Sequence, residues 1–144
     1  MFEHSHQLRI HYALTDQMGV VYHGNYAQFF EIARVEAIRK MGYTYKQVEE
    51  MGIIMPVFEL NTRFIRPIRY DELITIKVTI KEMPLSYRFV FHGEIYNEKN
   101  EICTTGIVTL YIIDTKTGKK VELPEVLKTA LLPYFSEGEA TDKA

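Results

Sequence analysis

The sequence predicts an α+β fold in which one long helix is wrapped by an antiparallel sheet of about five strands. The order of the segments is the first observation behind this prediction. One helical segment precedes a run of strand-like segments with hairpin-length connections, which favours an antiparallel sheet over a doubly wound parallel one. The second observation is the helix itself. It is apolar on most of its sides, so most of its sides must be covered.

The chain is expected to begin with a short strand and then the long helix. Residues 8–13 alternate apolar and polar side chains, as a half-buried strand does, and residues 14–25 carry the Gly and Asn typical of a loop. From Tyr26 to Met41 the apolar residues recur with a helical period. Asn25 is expected to be the N-cap of this helix, and Gly42 is expected to end it.

The remainder of the chain is predicted to be mostly strand. Its segments alternate apolar and polar residues and are separated by polar turns such as residues 97–100. In the segment 57–66, one face of the strand is expected to carry Phe58, Leu60, Thr62 and Phe64. A short helix is predicted at 44–51, strands at 57–66, 73–81, 86–96 and 102–113, and a terminal helix at 124–135. Residues 1–135 then form a single domain, and residues 136–144 are expected to be a disordered tail.

Composition excludes several classes of function. With 144 residues, 47% of them hydrophobic and 25% charged, the chain resembles an ordinary globular domain. A net charge of −2 does not fit a nucleic-acid-binding protein. The single cysteine, Cys103, cannot form an intramolecular disulfide. No basic and apolar leader opens the sequence and no apolar run is long enough to span a membrane, so a cytoplasmic location is expected.

The loop that leads into the long helix contains the residues best suited to chemistry. Asp16 places a carboxylate a short distance from the helix start, where backbone N–H groups lack internal acceptors and the helix dipole is positive. Such amides can bind a carbonyl oxygen and stabilise the negative charge that develops on it. Gly19 and Gly24 allow tight backbone and close approach of a ligand. A carboxylate beside free amides is a minimal site for acyl transfer.

The simplicity of this site favours thioesters among the possible acyl substrates. A thiol leaves readily because its thiolate forms near a pKa of about 8.5. Cleavage of a thioester therefore needs no strong general acid, whereas cleavage of an amide does. The chemistry requires no metal ion and no organic cofactor, and we predict none.

A longer motif resembles one known family. Thr15-Asp16, Gly19, Val21-Tyr22-His23, Asn25-Tyr26 and Phe30-Glu31-x-Ala33-Arg34 resemble the hotdog-fold acyl-CoA thioesterases, in particular the YbgC and 4-hydroxybenzoyl-CoA thioesterase branch. The resemblance covers about residues 8–115. It implies a central helix wrapped by an antiparallel sheet, acyl-CoA or an acyl carrier protein thioester as the substrate, and a homodimer or homotetramer with the acyl pocket between subunits.

The resemblance also implies a role for individual residues. Asp16 takes the position of the catalytic carboxylate, as a nucleophile or as the base that activates water. His23 takes the position whose backbone amide polarises the carbonyl. Tyr22 and Asn25 match positions beside that site. Substrate contacts are predicted for these two residues, for Gly24 and Tyr26, and for Arg66, which the motif does not assign. The basic run that binds nucleotide phosphates in the 4-hydroxybenzoyl-CoA enzymes is replaced here by Glu82-Met83-Pro84-Leu85-Ser86, so the aromatic substrate of those enzymes does not transfer.

Two other functions remain open from the sequence. One is a non-catalytic module that binds acyl thioesters, which the presence of Asp16 argues against. The other is a hotdog enoyl-CoA hydratase, whose Asp and His belong to a differently spaced motif. On the helix, Glu31 and Arg34 are expected to form a structural ion pair rather than part of the site.

Overall fold

The computed structural model describes residues 1–135, which build one five-stranded antiparallel sheet around a long helix. The strands lie in the order β1-β4-β5-β6-β3, so β1 and β3 are the edges. The predicted α+β hotdog arrangement is confirmed. The helices are α1 (Tyr26–Lys40), α2 (Tyr45–Glu50) and α3 (Glu125–Leu131), and the strands are β1 (Phe2–Arg9), β2 (Ile53–Ile54), β3 (Val57–Phe64), β4 (Leu73–Ile80), β5 (Arg88–Tyr96), β6 (Ile102–Tyr111) and β7 (Ile113–Asp114).

Helix α1 lies against the concave face of the sheet, close to its backbone. Ala33 and Ala37 are fully buried, which allows this close approach. The ring of Phe30 rests on Gly93 of β5 and Gly106 of β6, which are paired neighbours in the sheet. The helix ends as predicted, because Gly42 adopts a φ of +107° that L-residues with side chains rarely tolerate.

Asn25 occupies the N-cap position of α1, as predicted, but its side chain does not cap the helix. Asn25 is already helical, with φ −85° and ψ −13°, and its side chain makes no capping hydrogen bond. A 3₁₀ turn, His23–Asn25, precedes α1 and runs directly into it. The Asn25 side chain instead donates to the carbonyl of Leu14 at 2.8 Å. Asn25 therefore fastens the preceding loop to the helix start. The short helix α2 does carry a capping box, formed by Thr44 and Gln47.

The first strand lies earlier in the chain than predicted. Strand β1 spans Phe2–Arg9 and pairs with β4 from Phe2↔Ile80 to Arg9↔Leu73, whereas residues 12–14 form a 3₁₀ turn. The inward-facing positions of β1 include His4 and His6. These polar residues interrupt the apolar alternation that marks a strand. The predicted strand therefore began at residue 8, whereas β1 begins at Phe2.

Strand β3 ends at Phe64, two residues before the predicted end, and one of its faces was predicted incorrectly. A bulge between Val57 and Glu59 shifts the register against β6. Phe58 therefore does not share a face with Leu60 and Phe64, which lie on the side of the helix. Helix α1 reaches this strand at Phe64, which contacts Tyr26, but the apolar residues of β3 remain largely exposed.

The last described segment closes one end of the core. Strands β2 and β7 form a small separate antiparallel pair, and α3 buries Leu127 and Leu131 in the common hydrophobic core. The predicted disordered tail, residues 136–144, lies outside the described residues. Within residues 1–135, no helix is both long enough and apolar enough to cross a membrane.

Candidate active site

The carboxylate of Asp16 lies in a tight backbone turn. The Asp16 amide donates to Val20 at 2.8 Å, the Gly19 amide donates to the Asp16 carbonyl at 3.0 Å, and Gly19 has a φ of +81°. One side-chain oxygen, Oδ1, accepts a hydrogen bond from the Met18 amide at 2.8 Å. The turn therefore fixes the direction of the carboxylate and leaves Oδ2 available for a substrate or a water molecule.

This turn is held between the sheet and the helix start. The Val21 amide donates to the carbonyl of Ile68, in the β3–β4 connection, at 2.8 Å. The Tyr22 amide donates to Leu14 at 2.9 Å, and Leu14 also accepts from the Asn25 side chain. Because both ends of the loop are bonded to other elements, Asp16 is presented by a rigid support rather than by a free loop.

The turn opens onto a cavity of about 330 Å³, and four of the predicted site residues line it. Asp16, His23, Tyr26 and Arg66 all line it. The rest of its wall is mainly apolar, formed by Met18, Val20, Val21, Phe64, Ile65 and Pro67. A mainly apolar cavity with one carboxylate and few other polar side chains suits an acyl group attached to a reactive carbonyl.

The helix start supplies two unused hydrogen-bond donors beside this cavity. No described residue accepts a hydrogen bond from the backbone N–H of His23 or of Gly24. The next amide, that of Asn25, donates to Tyr22 at 3.0 Å and continues the helical turn. Free N–H groups at the positive end of a helix are suited to an oxygen that acquires negative charge.

The rings of Tyr22 and His23 pack on each other, with centroids 4.4 Å apart. A Cβ atom at Gly24 would lie 2.6 Å from Cε2 of Tyr22, so Gly24 gives room for this ring. The structure does not bring Tyr22, Gly24 or Asn25 to the cavity wall. Their direct contact with a substrate stays a prediction, whereas their role in shaping the helix start is visible.

Tyr26 is buried at the first turn of α1. Its ring meets the rings of Phe29 and Phe64 edge-on, at centroid distances of 5.5 Å and 4.9 Å. Burial raises the pKa of the Tyr26 phenol, and the neighbouring Thr104 hydroxyl partly offsets this shift. Tyr26 is therefore protonated at neutral pH and is a hydrogen-bond donor within the site.

Arg66 is already engaged by the sheet. Its Nη1 donates to the carbonyl of Ile102 at 2.8 Å, and its Nε lies 3.6 Å from a carboxylate oxygen of Glu101. Both side chains of this ion pair are nearly half exposed, so the pair itself contributes little stability. These contacts fix the stem of Arg66 at the cavity mouth.

The expected ion pair between Glu31 and Arg34 is wrong. Arg34 is buried, and its Nε donates to the hydroxyl of Tyr45 at 3.0 Å, while its guanidinium lies 6.0 Å from the ring centroid of Phe91. Glu31 is exposed and forms no ion pair with a described residue. Arg34 therefore ties α1 to α2 and to the sheet.

Where the chain leaves β3, sequence reasoning predicted Arg66 as a site residue but missed Phe64, Ile65 and Pro67, which form the cavity wall beside it. Ile65 and Arg66 donate to the carbonyl of Cys103 at 2.8 Å and 3.0 Å, and this bends the chain toward the Asp16 turn. No local pattern connects residues 64–67 with the loop at 16–21. Pro67, which interrupts the strand, is the one sequence signal that this segment changes direction.

Within residues 1–135, no group of three or more His, Cys, Asp or Glu side chains is placed so that it could hold a metal ion.

Comparisons with known proteins show which family this chain belongs to. The model of the thioesterase-like superfamily matches residues 10–131. A putative esterase of Synechocystis sp. is 38% identical over 120 residues, which are 82% of this chain and 72% of that protein. The acyl-CoA thioesterase YbgC of Haemophilus influenzae is 32% identical over 127 residues, 88% of this chain and 92% of that protein. The crystal structure of a DHNA-CoA thioesterase from Staphylococcus aureus has 38% identity and a TM-score of 0.79, and covers 99% of this chain and 91% of that one. The chain belongs to the thioesterase-like superfamily.

Proposed function

We propose that this protein hydrolyses acyl-CoA thioesters to a free acid and coenzyme A, with Asp16 as its catalytic carboxylate. The observation that carries the proposal is the meeting of Asp16 and the helix start at one apolar cavity. The acyl-CoA substrate class is that of the YbgC relative, which is named an acyl-CoA thioesterase. An acyl carrier protein thioester presents the same reacting group and is the second substrate class to be tested.

In the proposed reaction, the free amides at His23 and Gly24 hold the thioester oxygen. As a nucleophile adds to the carbonyl carbon, negative charge moves onto this oxygen, and the amides stabilise it. The C–S bond then breaks, and the thiolate leaves and takes a proton from solvent. The backbone amide of His23 binds the thioester oxygen in this reaction, while the His23 ring packs on Tyr22.

Asp16 serves this reaction by one of two routes. In the first, its free carboxylate oxygen attacks the carbonyl carbon, forming a mixed anhydride that water then hydrolyses. In the second, Asp16 accepts a proton from a water molecule whose oxygen attacks the carbonyl carbon. In a single turnover in ¹⁸O-labelled water, label in the Asp16 carboxylate identifies the first route, because water has then cleaved the anhydride at the protein carbonyl. Label in the product acid alone is expected both from the second route and from cleavage of the anhydride at the substrate carbonyl.

A second copy of the chain is proposed to complete the site. Strand β3 is an edge of the sheet, and Val57, Phe58 and Phe64 on it are each more than half exposed, at 53%, 58% and 54%. A long apolar edge strand invites pairing with another strand. Antiparallel pairing of two β3 strands about a twofold axis would place the Val57 end of one beside the Phe64 end of the other. Each cavity would then be closed by its partner.

The cytoplasm is the compartment we propose for this protein. Its single cysteine, Cys103, is buried and free, which suits a reducing environment.

Release of free thiol from a panel of short, long, branched and aromatic acyl-CoAs tests the proposed function. We expect Asp16→Asn and Asp16→Ala to reduce kcat/KM by roughly 100-fold or more on every substrate, the scale on which a positioned catalytic group acts. Asp71→Asn is the matched control. Asp71 is exposed and has a φ of 70°, which Asn tolerates, so this variant should keep wild-type activity.

Two results would overturn the proposal. A wild-type protein that binds acyl-CoA but releases no thiol from any member of the panel is a binding module rather than an enzyme. Full activity in Asp16→Ala would show that the catalytic carboxylate lies elsewhere. Release of thiol from an acyl carrier protein thioester but not from acyl-CoA would move the substrate to the second class.

A further inference from the structure

Arg34 carries a buried positive charge that no carboxylate of the same chain balances. Its side chain lies on the inner part of α1 and is only 6% exposed. Its Nε donates to the Tyr45 hydroxyl at 3.0 Å, and its guanidinium lies 6.0 Å from the ring centroid of Phe91. In the described part of the chain, no Asp or Glu forms a salt bridge with it. Burial of a charge is costly unless the charge is paired, so we expect an anion beside this arginine.

The free nitrogens of Arg34 are accessible to such an anion. An arginine has five N–H donors, and the bond to Tyr45 uses one of them. Among residues 1–135, the one fully enclosed side-chain N or O atom without a well-formed hydrogen bond is Oγ1 of Thr104. Nη1 and Nη2 of Arg34 therefore keep some contact with solvent, and a carboxylate from outside the chain can reach them.

Glu31 is the complementary group on the same flank of α1. It lies three residues before Arg34, which places it about 60° away around the helix. Glu31 is exposed and pairs with no described cation. Because the guanidinium of Arg34 is turned toward Tyr45 and the sheet, the two side chains of one copy do not meet. Each chain therefore presents one unpaired anion and one unpaired cation, one helical turn apart.

This flank of α1 faces the open edge of the sheet. The opposite flank carries Glu36, whose charge acts on His4 of β1. Strands β1 and β3 are the two edges of the sheet, so the flank with Glu31 faces toward β3. The inner side of β3 carries the exposed apolar residues Leu60 and Phe64. The two unpaired charges and the exposed strand therefore border the same concave space.

We infer that this flank of α1 binds a second copy of the chain, with Glu31 of each copy paired with Arg34 of the other. A twofold axis between the two positions forms both ion pairs at once, because in an isologous interface the contact from residue i to residue j is repeated from j to i. The two α1 helices then lie antiparallel, side by side. The inference rests on the proposed pairing of two β3 strands, which brings the two flanks together.

The pair is expected to stabilise the dimer because Arg34 is already desolvated in the single chain. A carboxylate that approaches Nη1 and Nη2 can accept two parallel hydrogen bonds from them. Removal of either member then leaves the other charge buried and unpaired in the interface. Such a loss typically weakens association by roughly 30-fold or more, and each dimer contains two of these pairs.

Charge reversal in two separate chains tests the inference. Glu31→Arg and Arg34→Glu each place like charges opposite one another in a homodimer. We expect either variant alone to sediment as a monomer at concentrations where the wild type is assembled. In a mixture of the two, both pairs are restored across the interface, so an equimolar mixture should sediment as a heterodimer and regain thiol release. A contact within one chain cannot give this result, because each variant chain holds two like charges.

Milder variants and controls measure the size of the effect. Glu31→Gln should raise the dimer dissociation constant by roughly 30-fold or more, whereas Glu36→Gln on the opposite flank should leave it unchanged. Glu125→Arg reverses a charge on an 88% exposed side chain of α3 and should also leave it unchanged. Melting temperatures identify any variant that fails to fold. If Arg34→Glu is among them, a double-mutant cycle of Glu31→Gln and Arg34→Gln decides, with non-additive losses expected.

The possible failures are distinguishable. A wild type that sediments as a monomer overturns both the β3 pairing and this inference, whatever its activity. A wild-type dimer whose dissociation constant is unchanged in Glu31→Arg overturns the ion pair alone, as does a mixture of two folded variants that does not reassemble. A protein that shows the expected exchange of partners but releases no thiol from any acyl-CoA overturns the proposed function and supports the ion pair.

Discussion

At the scale of single residues, the position of α1 depends on one ring and two glycines. A Cβ atom at Gly93 would lie 2.5 Å from Cδ1 of Phe30, and one at Gly106 would lie 2.7 Å from Cε2 of the same ring. We expect Gly93→Ala to lower the free energy of unfolding by about 1–3 kcal/mol, the usual cost of overpacking a core. Urea denaturation monitored by circular dichroism measures this change.

A double-mutant cycle shows whether the ring is the cause. Phe30→Leu replaces the planar ring by a smaller side chain that can move away from the added methyl group. The loss in Gly93→Ala/Phe30→Leu should then be smaller than the sum of the two single losses, because the residues are in contact. Strict additivity would mean that the methyl group meets something other than Phe30.

Most of the site residues that the sequence predicts are close together along the chain. Asp16, His23 and Tyr26 belong to one short segment, so a local motif is enough to suggest that they act together. Arg66 is the distant residue that was predicted and that also lines the cavity. The wall formed by Phe64 and Ile65 depends on pairing between distant segments, which no local pattern encodes.

At the scale of elements, β1 carries a pH-dependent contribution to stability. His4 lies on its inward face, and burial lowers the pKa of His4, helped by the nearby charges of His6 and Lys40 and opposed by Glu36. The unfolded chain therefore binds this proton more readily than the folded one. Stability is fully present above the unfolded value of 6.5 and is lost as the pH falls from there through the lower folded value.

We expect urea midpoints to decrease between about pH 7.5 and pH 5 and His4→Gln to flatten this slope. Burial also lowers the pKa of His92, opposite β4 on β5, so His4→Gln/His92→Gln should flatten it further. His11→Gln is the control, because His11 is exposed and lies outside the sheet. An unchanged slope in the double variant would assign the acid sensitivity to other groups.

His4 and His6 explain why β1 was predicted less accurately than α1, β4 and β5. The period of α1 and the alternation of β4 and β5 are carried by apolar residues, so their bounds are right to within one or two residues. In β1 the two middle inward positions are His4 and His6, between Phe2 and Leu8, so periodicity of hydrophobicity alone cannot detect the strand. The bulge in β3 is likewise a tertiary feature, since it is defined by register against β6.

At the scale of the whole molecule, the exposed edge strand β3 is where we propose that two copies of the chain pair. Leu60 and Phe64 on the inner side of this strand are apolar and remain exposed. Pairing of two β3 strands would join two sheets into one continuous sheet and bury these residues. Because the interface is isologous, it closes after two copies and does not extend into a fibre.

We therefore expect the protein to sediment at twice the mass of one chain, or at a multiple of that mass, at micromolar concentration. Leu60→Glu would bring two like charges together near the twofold axis and should shift the protein to a monomer with reduced thioesterase activity, because each cavity then stays open beside Phe64. Val126→Glu introduces the same charge at an exposed position of α3 and should change neither the mass nor the activity. A wild type that sediments as a monomer while fully active would mean that one chain holds the whole site and that the β3 edge has another partner.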